Sequence, residues 1–277
     1  MDKGIFQQLA DLAESFNRIG LKPVICGGLG IYLCFHECEG EAQGLIRTTN
    51  DIDLILTKTQ VIEKARCRAI AEIITCELRY IVREGREYLH FKKNQDQYLD
   101  ILAPPIEGFK TEGFRIKFVS SKLHGHITNE ACFIEEDLRT VSLLPFLPDN
   151  DKRSNLEVQV PSPTNSLLLK LFAFNDRSEG QRQDSERAQA HALDIYIAIM
   201  LTNRTDYDEG QKFLSRHGDS EIIQRAQYIV GSKFSSVDKL GWQLVLEASS
   251  FYPEINVRQK RERLDDAKRR LLRWFTI

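Results

Sequence analysis

The run Arg47-Thr48-Thr49-Asn50-Asp51-Ile52-Asp53-Leu54-Ile55-Leu56 sets two carboxylates two residues apart in an otherwise apolar stretch. Alternate side chains of an extended backbone share a face, so Asp51 and Asp53 point one way while Ile52, Leu54 and Leu56 point the other. Carboxylates this close repel each other unless a cation lies between them, and a hard divalent metal is the natural partner for a cluster of such oxygens. Upstream, Val24-Ile25-Cys26-Gly27-Gly28-Leu29-Gly30-Ile31-Tyr32-Leu33 reads as a short apolar strand, a glycine pair and then a helix. Glycines at a strand-to-helix turn let backbone N–H groups approach a phosphate, and the helix start adds partial positive charge. Metal and phosphate chemistry are therefore expected in one unit.

A third acid lies in Tyr98-Leu99-Asp100-Ile101-Leu102, a strand-like run that stops at Pro104-Pro105. A lone strand aspartate is ordinarily a solvated one. Here Leu99 and Ile101 mark a face that needs burial, while Asp100 shares the other face with Tyr98 and Leu102. If this strand pairs beside the Asp51 strand, three carboxylates come together, enough for one or two Mg²⁺.

The elements that must position these groups follow from periodicity. Apolar spacing of three and four from Gly4 to Ile19 predicts an opening helix stopped at Gly20. After the strand at Val24, a helix from about Leu29 leads into a polar loop, 37–44, and a strand over 51–57 leads into a helix over 60–76. Short β-like runs at 78–82, 88–92 and 97–102 are separated by two polar tetrapeptides that read as hairpin turns. From 114 to 160 the pattern is mixed β and loop, in which His124 and His126 are expected as exposed turn residues rather than a catalytic pair. Beyond Pro161 and Pro163 the chain is helical by period at 166–175, 186–201, 207–217, 221–230, 237–248 and 257–275, with a polar, mobile segment expected at 177–186. The expected division is 1–160, a catalytic domain, and 161–277, a helical domain contributing to nucleotide and acceptor binding.

The 277 residues are 42% hydrophobic and 28% charged with a net charge of −2, an ordinary globular composition that argues against wholesale coating of nucleic acid. No apolar run approaches the roughly 20 residues of a membrane span, and no basic-then-apolar leader opens the chain, so a cytoplasmic protein with no membrane partner is expected. None of the six cysteines forms a Cys-x-x-Cys pair. On a helix Cys34 and Cys38 share a face from which His36 points away, which disfavours zinc. The C-terminal segment carries Arg258, Lys260, Arg261, Arg263, Lys268, Arg269, Arg270 and Arg273, with Leu264, Leu271, Leu272 and Phe275 as its apolar face. It reads as a docked amphipathic helix with either a solvated basic face or an RNA-contacting one.

The series Gly27-Gly28, Arg47, Asp51-Ile52-Asp53 and Asp100, in this order, resembles the DNA polymerase beta-like nucleotidyltransferase superfamily. The glycine-to-acid interval is lengthened here around 37–44. The Arg47-x-Thr49-x-Asp51-Ile52-Asp53 form is most similar to the AbiEii-type toxin branch. Leu168-Leu169-Lys170-Leu171 looks like that branch's lysine-bearing helix. Leu193-Asp194-Ile195 looks like the end of its Lys-Asp-x-x-Asp-Ile motif, although Ala190 and His191 stand where Lys and Asp belong.

The resemblance implies an α+β fold, a nucleotidyltransferase-like mixed β-sheet with flanking helices followed by a mainly helical C-terminal domain. It implies that Asp51, Asp53 and Asp100 ligate one or two Mg²⁺ and carry the catalysis, Asp100 also activating the acceptor. It further implies that Gly27 and Gly28 cradle an NTP, with Arg47, Thr49, Lys170 and Asp194 at the nucleotide; read alone, Lys170 would be a snorkelling helix residue. The reaction implied transfers NMP to an acceptor hydroxyl and releases pyrophosphate. In the toxin branch the acceptor is RNA, a tRNA 3′ end, and the partner an antitoxin protein. The glycine and Asp-Ile-Asp pattern is also similar to aminoglycoside and lincosamide nucleotidyltransferases, which modify a small-molecule acceptor. A non-catalytic reading, an inactive nucleotide-binding or interaction module, stands beside these.

Overall fold

The structure is a computed structural model that describes residues 3–47, 49–84, 88–94, 97–118, 122–179 and 183–275. Contacts divide the chain into two compact units, Met1–Cys34 with Thr48–Ser162, and Phe35–Arg47 with Pro163–Ile277. The helical unit thus takes a segment, 35–47, that sequence alone assigns to the catalytic half.

The first unit is built on a mixed sheet. Helix α1 (Lys3–Arg18) ends at Gly20, whose φ of 70° supplies the left-handed stop. Strand β1 (Val24–Cys26) feeds helix α2 (Gly27–Phe35) without a connecting loop, so the helix starts two residues before the expected Leu29. Strand β2 (Asp51–Ile55) is followed by α3 (Lys58–Val61) and α4 (Lys64–Glu72). The single helix expected over 60–76 is broken because Thr57 and Gln60 form a capping box that starts α3 early, and α4 ends in a π turn, Ile73–Glu77. Then come β3 (Ile81–Val82), β4 (His90–Lys93) and β5 (Gln97–Ala103). Of the two expected hairpin turns, 85–87 and 95–96 lie outside the described residues.

Strands β6 (Lys110–Glu112), β7 (Arg115–Lys117), β8 (His124–Ile127), β9 (Arg139–Ser142) and β10 (Glu157–Val160) complete the sheet. Its order is β6-β7-β8-β5-β2-β1-β10-β9, with β4 also on β5 and β3 on β4. Here His124 and His126 are half-buried strand residues rather than turn residues. Gly125 between them makes this possible, since a Cβ there would lie 2.9 Å from the Ala103 Cβ.

Period-two alternation decides which face of β2 and β5 is buried. Ile52, Leu54, Leu99 and Ile101 are fully buried and join one core with Leu9, Leu12 and Phe16 of α1. The opposite face carries Asp51, Asp53 and Asp100. Helix α2 lies close on β1: a Cβ on Gly30 would stand 2.7 Å from the Ile25 carbonyl oxygen, a backbone atom that cannot give way.

The second unit packs α5 (Pro163–Ser178), α6 (Ser185–Leu201), α7 (Arg204–His217), α8 (Glu221–Lys233), α9 (Leu240–Glu247) and α10 (Val257–Phe275) around buried Phe174, Tyr196, Phe213, Phe234, Trp242 and Trp274. The segment expected to be mobile, 177–186, falls partly outside the described residues, at 180–182; Asp184 N–H donates to the Arg177 carbonyl and its side chain caps α6. The 37–44 insertion becomes a 3₁₀ turn, Glu41–Leu45, with Ala42 and Leu45 buried and Glu41 paired to Arg263 of α10. Helix α10 docks through Leu264, Ala267, Leu271, Trp274 and Phe275. Several of its cations meet acids of the same helix one turn away, as Arg258 does Glu262 and Arg270 does Asp266. Among the described residues no helix is long and apolar enough to cross a membrane.

Gly30→Ala is expected to destabilise the protein by about 1–3 kcal/mol through overpacking against a backbone carbonyl, read as a lowered Tm in thermal unfolding.

Candidate functional site

Strand β2 runs parallel to β5 with Asp53 opposite Asp100 and Asp51 opposite Tyr98. Partners in a ladder share a face, so the pairing sets the three acids on one side of two neighbouring strands. On the far side of β5, β4 runs antiparallel with His90 opposite Asp100, and on the far side of β2, β1 places Cys26 opposite Asp53. One row therefore reads His90, Asp100, Asp53, Cys26 across four strands.

Within this row Asp100 is occupied. Its Oδ1 lies 2.6 Å from His90 Nδ1, with both side chains about a quarter exposed or less (27% and 20%). Asp53 lies at the start of α2, where a Cβ on Gly27 would fall 1.7 Å from the Asp53 Oδ2. Only glycine fits there, for that reason and because its φ is 68°. The carboxylate thereby sits at a helix N-terminus, where the backbone's partial positive charge favours it. Gly28 follows in the same first turn. Asp51 is exposed, and its N–H donates to Thr49 Oγ1 at 3.3 Å.

The donors are hard carboxylate oxygens on adjacent strands, which suits Mg²⁺. In the side-chain arrangement seen, Asp100 turns to His90 and Asp53 to Gly27, and among the described residues no three His, Cys, Asp or Glu side chains close on a common point. The register thus brings the acids to one place without closing a metal cage.

Arg47, Lys170 and Asp194 form a separate cluster inside the second unit. Arg47 holds Asp194 bidentately, Nε to Oδ1 at 3.1 Å and Nη2 to Oδ2 at 2.9 Å, and Lys170 Nζ donates to Oδ2 at 2.6 Å. Lys170 does not snorkel, because it is buried with Asp194 as its partner (7% and 3% exposed). Burial pushes the Asp194 carboxyl up, but Lys170 and Arg47 outweigh it and hold the group below its ordinary value. One carboxylate against two cations leaves the cluster with surplus positive charge, and Arg47 is its most exposed member at 36%. His191, one turn before Asp194, stands close to this charge. Burial first, and Lys170 second, lower its pKa to about 3, and its buried Nδ1 has no hydrogen-bond partner among the described residues.

The acids and glycines named from the sequence lie together on β2, β5 and the start of α2, whereas His90, beside Asp100, is not among the residues that the sequence singles out. The signal was present in the alternation of β4, whose even-numbered residues must face with Asp100 once the two strands form a hairpin.

No family model matches the chain, and no curated protein matches it. Among solved structures, the antibiotic-resistance factor ANT(2'')-Ia superposes over 79% of this chain and 98% of its own, with 14% identity and a TM-score of 0.38. A likeness at that level decides neither chemistry nor substrate.

Two pH effects follow from the buried cluster. Asp194 has its folded pKa depressed, so its stabilisation is complete above the unfolded carboxylate value of about 4 and fades as pH falls through the folded value. Asp194→Asn is expected to cost about 3–5 kcal/mol near neutrality by stranding two cations, and to flatten the acid limb of a urea-midpoint profile. For His191 the unfolded chain binds the extra proton between the ordinary histidine value of 6.5 and its folded value of about 3, so stability is lost as pH drops through that window. His191→Gln is expected to remove this slope while leaving that of Asp194.

Proposed function

We propose that the protein is a Mg²⁺-dependent nucleotidyltransferase that moves a nucleoside monophosphate from an NTP to an acceptor hydroxyl and releases pyrophosphate. The observation that carries this is the parallel pairing of β2 with β5, which sets Asp53 opposite Asp100 beside a helix start that only glycine permits at Gly27. Phosphoryl-group transfer asks little covalent chemistry of a protein; positioning and charge stabilisation supply most of the effect.

Asp51 and Asp53, with Asp100, would hold the metal, which neutralises charge on the phosphates when bound. The backbone at Gly27 and Gly28 suits close approach of a phosphate to the N-terminus of α2. Asp100 receives the proton of the attacking hydroxyl as the new oxygen–phosphorus bond forms and the bond to pyrophosphate breaks. His90 holds Asp100 through Oδ1 and so fixes the plane of its carboxylate. In the second unit, the Arg47, Lys170 and Asp194 cluster offers surplus positive charge suited to a phosphate, with Arg47 the exposed member.

The Arg47-x-Thr49-x-Asp51-Ile52-Asp53 form favours an acceptor of the toxin-branch kind, an RNA 3′ end, with an antitoxin protein as partner. The test incubates the protein with Mg²⁺ and each labelled NTP in the presence of total RNA, and separately of an aminoglycoside and lincosamide panel. Transfer to RNA is expected. Asp53→Asn should lower it roughly 100-fold or more and weaken the thermal stabilisation given by Mg²⁺-NTP. A wild-type protein that labels nothing and shows no shift with any NTP would leave the non-catalytic reading in place.

A further inference from the structure

The face of the sheet that bears the acids also bears a cationic and aromatic patch that the transfer step leaves unused. β3 and β4 pair Ile81 with Lys92 and Val82 with Phe91, and the Arg83 N–H continues this register by donating to the His90 carbonyl at 2.9 Å. β4 and β5 pair His90 with Asp100 and Lys92 with Tyr98. Two rows therefore cross the strands: Arg83, His90, Asp100 and Asp53 in one, Lys92, Tyr98 and Asp51 in the other. The intervening Phe91, Leu99 and Ile52 are fully buried on the opposite side, which fixes the direction of both rows. Arg83 reaches over β4 and lays its guanidinium on the Tyr98 ring, 4.9 Å from the centroid, while Arg83 and Lys92 are exposed.

We propose that Arg83, Tyr98 and Lys92 form the acceptor subsite, and that the acceptor is the end of a single-stranded polynucleotide. The chemical half of this rests on the nucleotidyl-transfer reading; the binding half does not. A guanidinium stacked on an aromatic ring presents a flat cationic surface on which a nucleobase stacks whatever its sequence. Arg83 and Lys92 flank the catalytic acids on the strands away from Gly27 and can neutralise backbone phosphates there. A polycationic drug would meet the same two charges with like sign. The patch therefore selects between the two acceptor classes that the acids alone leave open.

The test is fluorescence anisotropy of the full chain with labelled single-stranded RNA and single-stranded DNA of the same sequence, beside the transfer assay. Arg83→Ala and Tyr98→Leu are expected to raise the Kd roughly tenfold or more, with Tyr98→Phe close to wild type. Lys92→Ala should lower the salt slope of binding by about one. Asp53→Asn, deficient in transfer, should bind as wild type does. Preference for RNA or DNA identifies the polynucleotide. Unchanged binding in both Arg83→Ala and Tyr98→Leu overturns the subsite, as does labelling of an aminoglycoside by a protein that binds neither strand, and in that case nucleotidyl transfer survives. Binding that depends on Arg83 and Tyr98 in a protein that labels no acceptor keeps the polynucleotide site and removes the reaction.

Discussion

The structure depends on a single constraint, the requirement that β2 and β5 each bury one side. Ile52, Leu54, Leu99 and Ile101 are removed from water altogether, and a one-residue slip of either strand would exchange them for Asp51, Asp53 and Asp100. Burying those carboxylates in an apolar core would cost several kcal/mol for each ion. The hydrophobic face therefore sets the register, and the register sets which acids stand side by side. The geometry of the proposed site is a by-product of core packing, and His90 and Arg83 inherit their places through the same ladders.

Two carboxylates illustrate how differently one residue type is used. Asp194 is sunk among helices and held by a bidentate arginine and a lysine, an arrangement in which every lone pair facing a cation is spent on structure. Asp53 is half-exposed on a strand and rests against a glycine at a helix start. The first keeps two cations in place near neutral His191. The second remains where a ligand can reach it.

What could be read from the chain followed range of interaction. The alternation of Asp51 and Asp53 with apolar neighbours, the side chosen by Asp100, and the stop at Gly20 are local, and each has its counterpart in the structure. The early start of α3 came from a side-chain capping box, a local signal that hydrophobic spacing does not register. His90 needed the β4–β5 register, which depends on a turn whose length periodicity does not define. Arg47 and Asp194 are 147 residues apart, and no spacing rule joins them; only the family resemblance drew attention to both. The docked face of α10 was visible at Leu264 and Leu271, whereas Trp274 was overlooked amid a run of cations. Those cations read as a solvated or RNA-contacting basic face, and several of them answer acids one turn away.

The assignment of 35–47 to the helical unit has a consequence for how the chain is made. Residues on both sides of this segment belong to the sheet unit, which is complete by Ser162. During synthesis, then, the sheet unit can form while Ala42, Leu45 and Arg47 hang from it without the surfaces they later cover, because α5 and α6 have not yet emerged. For that interval the nascent chain carries a half-made seam that must wait for the last third of the polypeptide. Such long-range closure is slow and open to capture by other chains. The buried ion cluster at Asp194 thus marks the point from which assembly of the helical unit around 35–47 can begin, and the two halves of the sequence cannot be regarded as beads that fold in turn.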